Sequence, residues 1–270
     1  MKVVCVGDCG IDHYLPSGDQ RFGGITANVA RHAREQFPGD DEVHIVSCVG
    51  TDDGGEIVLS GLADTNIQCH VQRLPGATPV QFIEVEDSGE KNFVRYEQGV
   101  LRQFSFGPDE RKIIAESDLL IAPVYLQIVD LYDVFMSIDT TGLTAIDFAD
   151  FLQHPDFELL ERHLARIDIG FFGLSVADEV AISAISEIAG RSGKLFVVTL
   201  GAEGSRAFMG KERFDCAAVA VKEVVDTTGA GDAYAAAFLS RYCHGRDIVE
   251  SMHHGANVAA DVVGKLGSWS

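Results

Sequence analysis

Hydrophobic and polar positions change their period twice along this chain. Residues 2–7 form a short β-branched run and a second follows at 43–49, and each reads as a buried strand. Between them Ala27, Val29, Ala30 and Ala33 are small or apolar at helical spacing, which predicts a helix ending near Phe37; another is predicted over 56–63. From 69 to 96 the period drops to two. Alternating runs at 69–74, 79–86 and 92–96 are broken by Pro75-Gly76 and Asp87-Ser88-Gly89-Glu90, with no helix between them. Such punctuation predicts a small antiparallel sheet standing off the main body. Beyond Asp118, apolar runs at 119–122, 143–147, 167–172 and 195–200 alternate with helical windows at 129–137, 156–164 and 178–190. That alternation predicts an α/β fold, a doubly wound, mainly parallel sheet with helices on both faces. No linker, repeat or low-complexity tract interrupts it, so residues 1–270 are expected to form one domain, with a β appendage drawn from about 13–22 and 69–97.

Charge narrows the partners. Lys plus Arg number 21 against 41 Asp plus Glu, a net charge of −20, which argues against a nucleic-acid partner. A nucleotide stays open, because backbone amides and a metal ion can reverse the field inside a cleft. No apolar run approaches membrane-spanning length, so a soluble, cytoplasmic protein with no membrane partner is expected. Six cysteines (Cys5, Cys9, Cys48, Cys69, Cys216, Cys243) show no Cys-x-x-Cys spacing and read as reduced thiols.

The chemistry concentrates between Val225 and Phe238, where an apolar strand end is expected to meet Asp226-Thr227-Thr228-Gly229-Ala230-Gly231-Asp232 and an alanine-rich helix. With little or no side chain at Gly229, Ala230 and Gly231, the loop amides can close around an anion at the positive end of that helix. Asp232, in the first helical turn, can take a proton from a hydroxyl as it attacks phosphorus. Its plainer reading is an acidic residue complementing the helix dipole. Asp8 and Asp12 follow the first strand, where open α/β sheets meet their ligands, and either also suits a turn. Gly23-Gly24 lets backbone approach a ligand closely, and Asn28 can donate to and accept from a hydroxyl. A rival lies in Gly173-x-Ser175-x-Ala177, one residue short of a nucleophile elbow, with Asp232 and His253 downstream in the order of a serine hydrolase. No Gly-x-x-x-x-Gly-Lys-Ser/Thr occurs, which leaves a P-loop ATPase unsupported.

Asp226 to Asp232 resembles, without a departure, the signature of the ribokinase/PfkB family of small-molecule kinases, and Gly23-Gly24-x-x-x-Asn28-x-Ala30 resembles that family's N-terminal signature. The resemblance implies a ribokinase-like fold and ATP-dependent phosphorylation of a hydroxyl on a sugar or sugar derivative, with ATP and Mg2+ as cofactors. It implies Asp232 as catalytic base and Gly229, Ala230 and Gly231 as the anion hole. Asp12, Gly23, Gly24 and Asn28 would bind the substrate, while Thr199, Gly201 and Gly204 match a Thr-x-Gly-x-x-Gly nucleotide segment and Asn257 would border adenine. The antiparallel sheet would be a lid over the sugar, a surface through which relatives often form a homodimer. Lys91 and Arg95, at its last run, could meet a charged substituent on the substrate, and their plainer reading is solvated cations on an edge strand. Where relatives carry Asn-x-x-Glu near the magnesium, this chain has Ser175 and Asp178 at the same spacing, which makes Asp178 the candidate behind the metal. Tyr96-x-x-Gly99-Val100 and residues 145–150 look most like the fructoselysine 6-kinase branch, which admits a fructosamine-type compound among the sugar derivatives the chain could act on, without choosing it. The competing substrate is a nucleoside, with Phe82 and Phe93 as walls for its base; a non-catalytic sugar or nucleotide sensor is the third reading.

Overall fold

The computed structural model describes residues 1–85, 91–149, 151 and 157–264. The expected turn at 87–90 and Asp150 of the 145–150 segment therefore lie outside the described residues. The chain opens with β1 (Lys2–Val6), β2 (Gly10–Leu15) and β3 (Gln20–Gly23), then α1 (Ile25–Gln36), β4 (Glu42–Gly50), α2 (Asp53–Ala63) and β5 (Gln68–Leu74). Two further strands, β6 (Val80–Val85) and β7 (Lys91–Glu97), precede the alternating half. That half runs α3 (Pro108–Ala115), β8 (Leu119–Val124), α4 (Val129–Met136), β9 (Leu143–Phe148), α5 (Glu158–His163), β10 (Ile169–Gly173), α6 (Glu179–Ser192) and β11 (Leu195–Thr199). A hairpin, β12 (Ser205–Met209) and β13 (Glu212–Cys216), and two helices, α7 (Ala230–Gly245) and α8 (Ile248–Val263), complete the described chain.

Among the described residues nine strands form one sheet in the order β13-β12-β11-β10-β9-β8-β1-β4-β5. Pairing is parallel from β11 to β5, and β12 and β13 add antiparallel strands at one edge. Strands covered on both faces need apolar side chains on both, which is why β1 reads as the unbroken run Val3-Val4-Cys5-Val6, all fully buried. Adjacent residues of one strand enter opposite cores. On β10, Phe172 stacks on Phe148 at 4.7 Å, whereas Phe171 meets Phe238 of α7 edge-on at 5.6 Å. Buried Ala233, Ala235, Ala236 and Ala237 let α7 lie close to α1 and α8, and Ser240 Oγ donates to the Gln36 carbonyl across that seam at 2.7 Å.

Four strands in the order β3-β2-β6-β7 form the second sheet. Three expectations change here. Residues 69–74 do not belong to the small sheet: as β5 they pair in parallel with β4 at the edge of the large one. The reason was in the pattern, since the helix at 53–63 is a crossover, and a strand–helix–strand unit returns its second strand to the same sheet. The small sheet was expected to be antiparallel, but residues 10–15 form strand β2, which pairs in parallel with β6, so the sheet is mixed. Val225 is exposed, in the irregular segment between β13 and α7 rather than at a strand end. Asp52 joins the two sheets: its carboxylate accepts from Gly55 N at the start of α2 and from Thr78 N and Thr78 Oγ1 (3.0, 2.9 and 2.5 Å) at the root of β6.

Candidate active site

Carboxyl ends of parallel strands are where an open α/β sheet presents its ligand site, and four acidic side chains converge there. Asp8 follows β1, Asp12 stands on β2, Asp147 is near the end of β9 in register with Pro123 and Phe171, and Asp232 is in the first turn of α7. Asp8, Asp12 and Asp232 are buried and Asp147 is half-buried. Burial raises the Asp232 carboxyl well above the usual range, the Asp147 charge raises it further, and Asp8 and Asp12 add to the effect; a hydrogen bond from Asn28 opposes them. Burial alone pushes Asp147 up to about 7.

The loop before α7 is shaped by its own side chains. Buried Asp226 accepts from Thr228 N at 2.8 Å, a two-residue turn that delivers the chain to Gly229. Gly229 precedes the helix at φ +76°, a conformation open to glycine at little cost. Of the three amides expected to hold an anion, that of Ala230 is directed at the Thr227 carbonyl (3.3 Å). The others open the first turn, where helix geometry provides no partner for N–H groups. A side chain added at Gly231 would meet nothing within 4 Å, so the space before the helix is open.

Gly23 and Gly24 serve the opposite end of the cleft. A Cβ at Gly23 would lie 2.3 Å from Asp12 Oδ1, and Gly24 sits at φ +97° against the backbone of Asp8 and Gly10. These close approaches bring α1 under the acidic group, with Asn28 one turn inside it and hydrogen-bonded to Asp232. Asp12, Gly23, Gly24, Asn28 and Asp232 are thus brought together.

Arg95 is not. Opposed residues in neighbouring strands share a face, so Asp12, Gln81 and Tyr96 face one side of the small sheet, and His13, Phe82 and Arg95 the other. The Arg95 guanidinium lies over the Phe82 ring, 4.1 Å from its centroid, and pairs with Glu97 at 3.1 Å. Arg95, expected to meet the substrate, and Phe82, expected as a wall for a nucleoside base, therefore lie on the face opposite Asp12. The Lys91 side chain lies outside the described residues.

The nucleotide candidates lie along the other edge. Thr199 ends β11 with Oγ1 donating to the Phe172 carbonyl at 3.4 Å, and Gly201 and Gly204 flank the turn into β12. A Cβ at Gly204 would strike the Cys216 carbonyl at 2.1 Å. Cys216 Sγ is 3.5 Å from His253 Nδ1, and one turn along α8 exposed Asn257 donates to the His253 carbonyl at 2.8 Å. Exposed Val219, Val224 and Val225 lie on the segment between β13 and α7. Asp178 accepts from Ser175 N at 2.7 Å, and Ser175 Oγ accepts from Ala177 N at 3.0 Å. With Ser175 engaged locally and His253 facing Cys216, the hydrolase constellation is not assembled.

Asp147 was within reach of sequence reasoning, since a carboxylate near the end of a predicted parallel strand points at the ligand edge. Tyr96 and Tyr125, which border Asp8, carried no such signal.

Comparison with known proteins gives this geometry its context. The chain is 29% identical, over its whole length and all of the relative's, to fructoselysine 6-kinase of Shigella flexneri. It is 26% identical to fructosamine kinase FrlD of Bacillus subtilis, across the whole chain and 93% of the relative. Its fold superposes on adenosine kinase from Sinorhizobium meliloti with a TM-score of 0.84 at 24% identity, covering 99% of this chain and 95% of that one. The family model described as pfkB family carbohydrate kinase matches residues 1–126 and 136–270, and the chain belongs to that family.

Proposed function

We propose that the chain transfers the γ-phosphoryl group of ATP to a hydroxyl of a fructosamine-type sugar derivative, with Asp232 as general base. The observation that carries this is the meeting, at one helix start, of a glycine-bordered anion loop and a buried carboxylate that Asn28 orients. Asp12, Gly23, Gly24 and Asn28 bind the sugar; Asp232 accepts the proton of its hydroxyl as that oxygen attacks phosphorus. A base works best with a pKa near the working pH, and burial beside Asp147 moves Asp232 in that direction. The first-turn amides and the helix dipole stabilise charge growing on the transferred group. Thr199, Gly201, Gly204 and Asn257 flank the nucleotide, and the exposed valines offer its base an apolar surface. The small sheet shields the reacting oxygens from water, a competing acceptor.

Among the described residues no group of three or more His, Cys, Asp or Glu side chains is placed to hold a metal ion. Magnesium is commonly held by nucleotide enzymes through phosphate oxygens and water with one or two carboxylates. When bound, it neutralises phosphate charge. Asp178 is the residue proposed behind it, with one carboxylate oxygen turned to Ser175 N.

The carboxylate-lined cleft favours a substrate carrying an amine over an anionic sugar, which supports the fructosamine reading over the other sugars. Phe93 and Val94 of β7, 55% and 48% exposed, support pairing of two copies through the small sheet; a light-scattering mass of one chain would refute that pairing. Among the described residues no helix is long and apolar enough to cross a membrane.

An ATP-consumption panel of fructosamines, sugars, sugar phosphates and nucleosides tests the substrate class, with fructosamines expected to turn over best. Asp232→Asn tests the base: kcat should fall by roughly 10²–10⁴ with ATP affinity kept. Near-normal turnover in that variant would remove Asp232 from the role, and a silent panel with folded protein would favour a sensor.

A further inference from the structure

Asp8 is oriented inward, away from any role as a simple turn-former. It is 3% exposed, its Oδ2 accepts from Ile25 N (3.3 Å), and its Oδ1 accepts from Thr26 N and Thr26 Oγ1 (3.3 and 3.2 Å). Ile25 and Thr26 are the first residues of α1, whose preceding residue, Gly24, has no side chain to cap them. Asp8 therefore supplies the acceptors that this helix start lacks. Its carboxylate also meets the hydroxyl of buried Tyr125, at the end of β8. The Tyr125 hydroxyl is 3.1 Å from that of Tyr96, and the two rings meet edge-on at 5.5 Å. Tyr96 belongs to β7, the far strand of the small sheet, and stands on the same face as Asp12. A tyrosine hydroxyl both donates and accepts, so Tyr125 can bridge its two neighbours.

We infer that Tyr96, Tyr125 and Asp8 are positioning residues that tie strand β7 to the start of α1, and through Asn28 to the base Asp232. The series is continuous: β7, Tyr96, Tyr125, Asp8, the capped amides of Ile25 and Thr26, and one turn later Asn28 with its hydrogen bond to Asp232. Displacement of β7 reaches the base through this line, and substrate held under the small sheet fixes both ends. The kinetic consequence rests on the kinase reading above; the structural link does not.

Amide hydrogen exchange and kinetics on Tyr96→Phe, Tyr125→Phe and the double variant separate the two. Tyr96 contacts neither Ile25 nor Thr26 by hydrogen bond, yet Tyr96→Phe should speed exchange at both amides while leaving Tm nearly unchanged. In assays each single variant should lose about five- to tenfold in kcat, the worth of one hydrogen bond, and raise ATP hydrolysis relative to transfer. Because the hydroxyls act in series, the double variant should be no worse than Tyr125→Phe alone. Unchanged exchange at Ile25 and Thr26 in folded Tyr96→Phe overturns the proposal, as do additive losses in the double variant. Should Tyr125→Phe not fold, Tyr96→Phe at the half-buried end carries the test by itself. Exchange needs no turnover, so the link is measurable even if the wild-type protein phosphorylates nothing in the panel.

Discussion

Gly23→Ala separates the substrate subsite from the fold. The added Cβ would stand 2.3 Å from Asp12 Oδ1, 2.5 Å from its Cγ and 2.8 Å from Oδ2, while ordinary contacts begin near 3.4 Å. The Asp12 carboxyl, at the far end of its side chain, must therefore retreat by about 1 Å. A misplacement of that size at a positioning group costs on the order of 10²-fold, or ~2.7 kcal/mol of transition-state stabilisation. Steady-state kinetics with each substrate varied in turn should show kcat/KM for the sugar falling about a hundredfold, with the KM for ATP and Tm little changed. Gly50→Ala is the contrast. There the Cβ meets backbone, the Gly76 carbonyl at 2.3 Å and Thr78 N at 2.5 Å, so the loss should appear in stability, about 1–3 kcal/mol. A Gly23→Ala protein with wild-type kcat/KM for the sugar would mean that Asp12 does not hold the substrate.

Other outcomes follow from the same geometry. Gly231→Ala adds a methyl to open space in the first helical turn, so Tm should hold or rise by a few degrees while kcat/KM for ATP drops tenfold or more, and an unchanged value would show that the loop grips no phosphate. Folded Asp147 keeps its proton up to about pH 7, whereas the unfolded chain releases it near 3.8, so the native state binds more protons in that window and this contribution to stability falls as pH rises through it. Asp147→Asn should consequently raise Tm at pH 8, by ~4 kcal/mol of stability at most given partial screening, and leave it unchanged near pH 4; equal Tm differences at both pH values would refute this. The same variant removes the largest charge raising Asp232, so the acidic limb of kcat/KM should move to lower pH, and a limb that stays in place would show that the two carboxyls do not interact.

The seven residues from Asp226 to Asp232 and the strand–helix alternation after Asp118 determined the large sheet, its helical layers and the glycine-bordered loop at the start of α7, because a local turn and a local period are written in neighbouring residues. Tertiary structure decided the rest. A period of two states that Arg95 and Tyr96 face opposite ways but not which one faces the cleft, and only pairing with β6 and β2 settled that. It also sent residues 69–74 to the large sheet, where a crossover helix outweighed hairpin-like punctuation. Asp8, Asp147 and Asp232 are far apart in sequence, and the burial and mutual repulsion that raise the Asp232 carboxyl arise only where separate strands and α7 bring their ends to one edge.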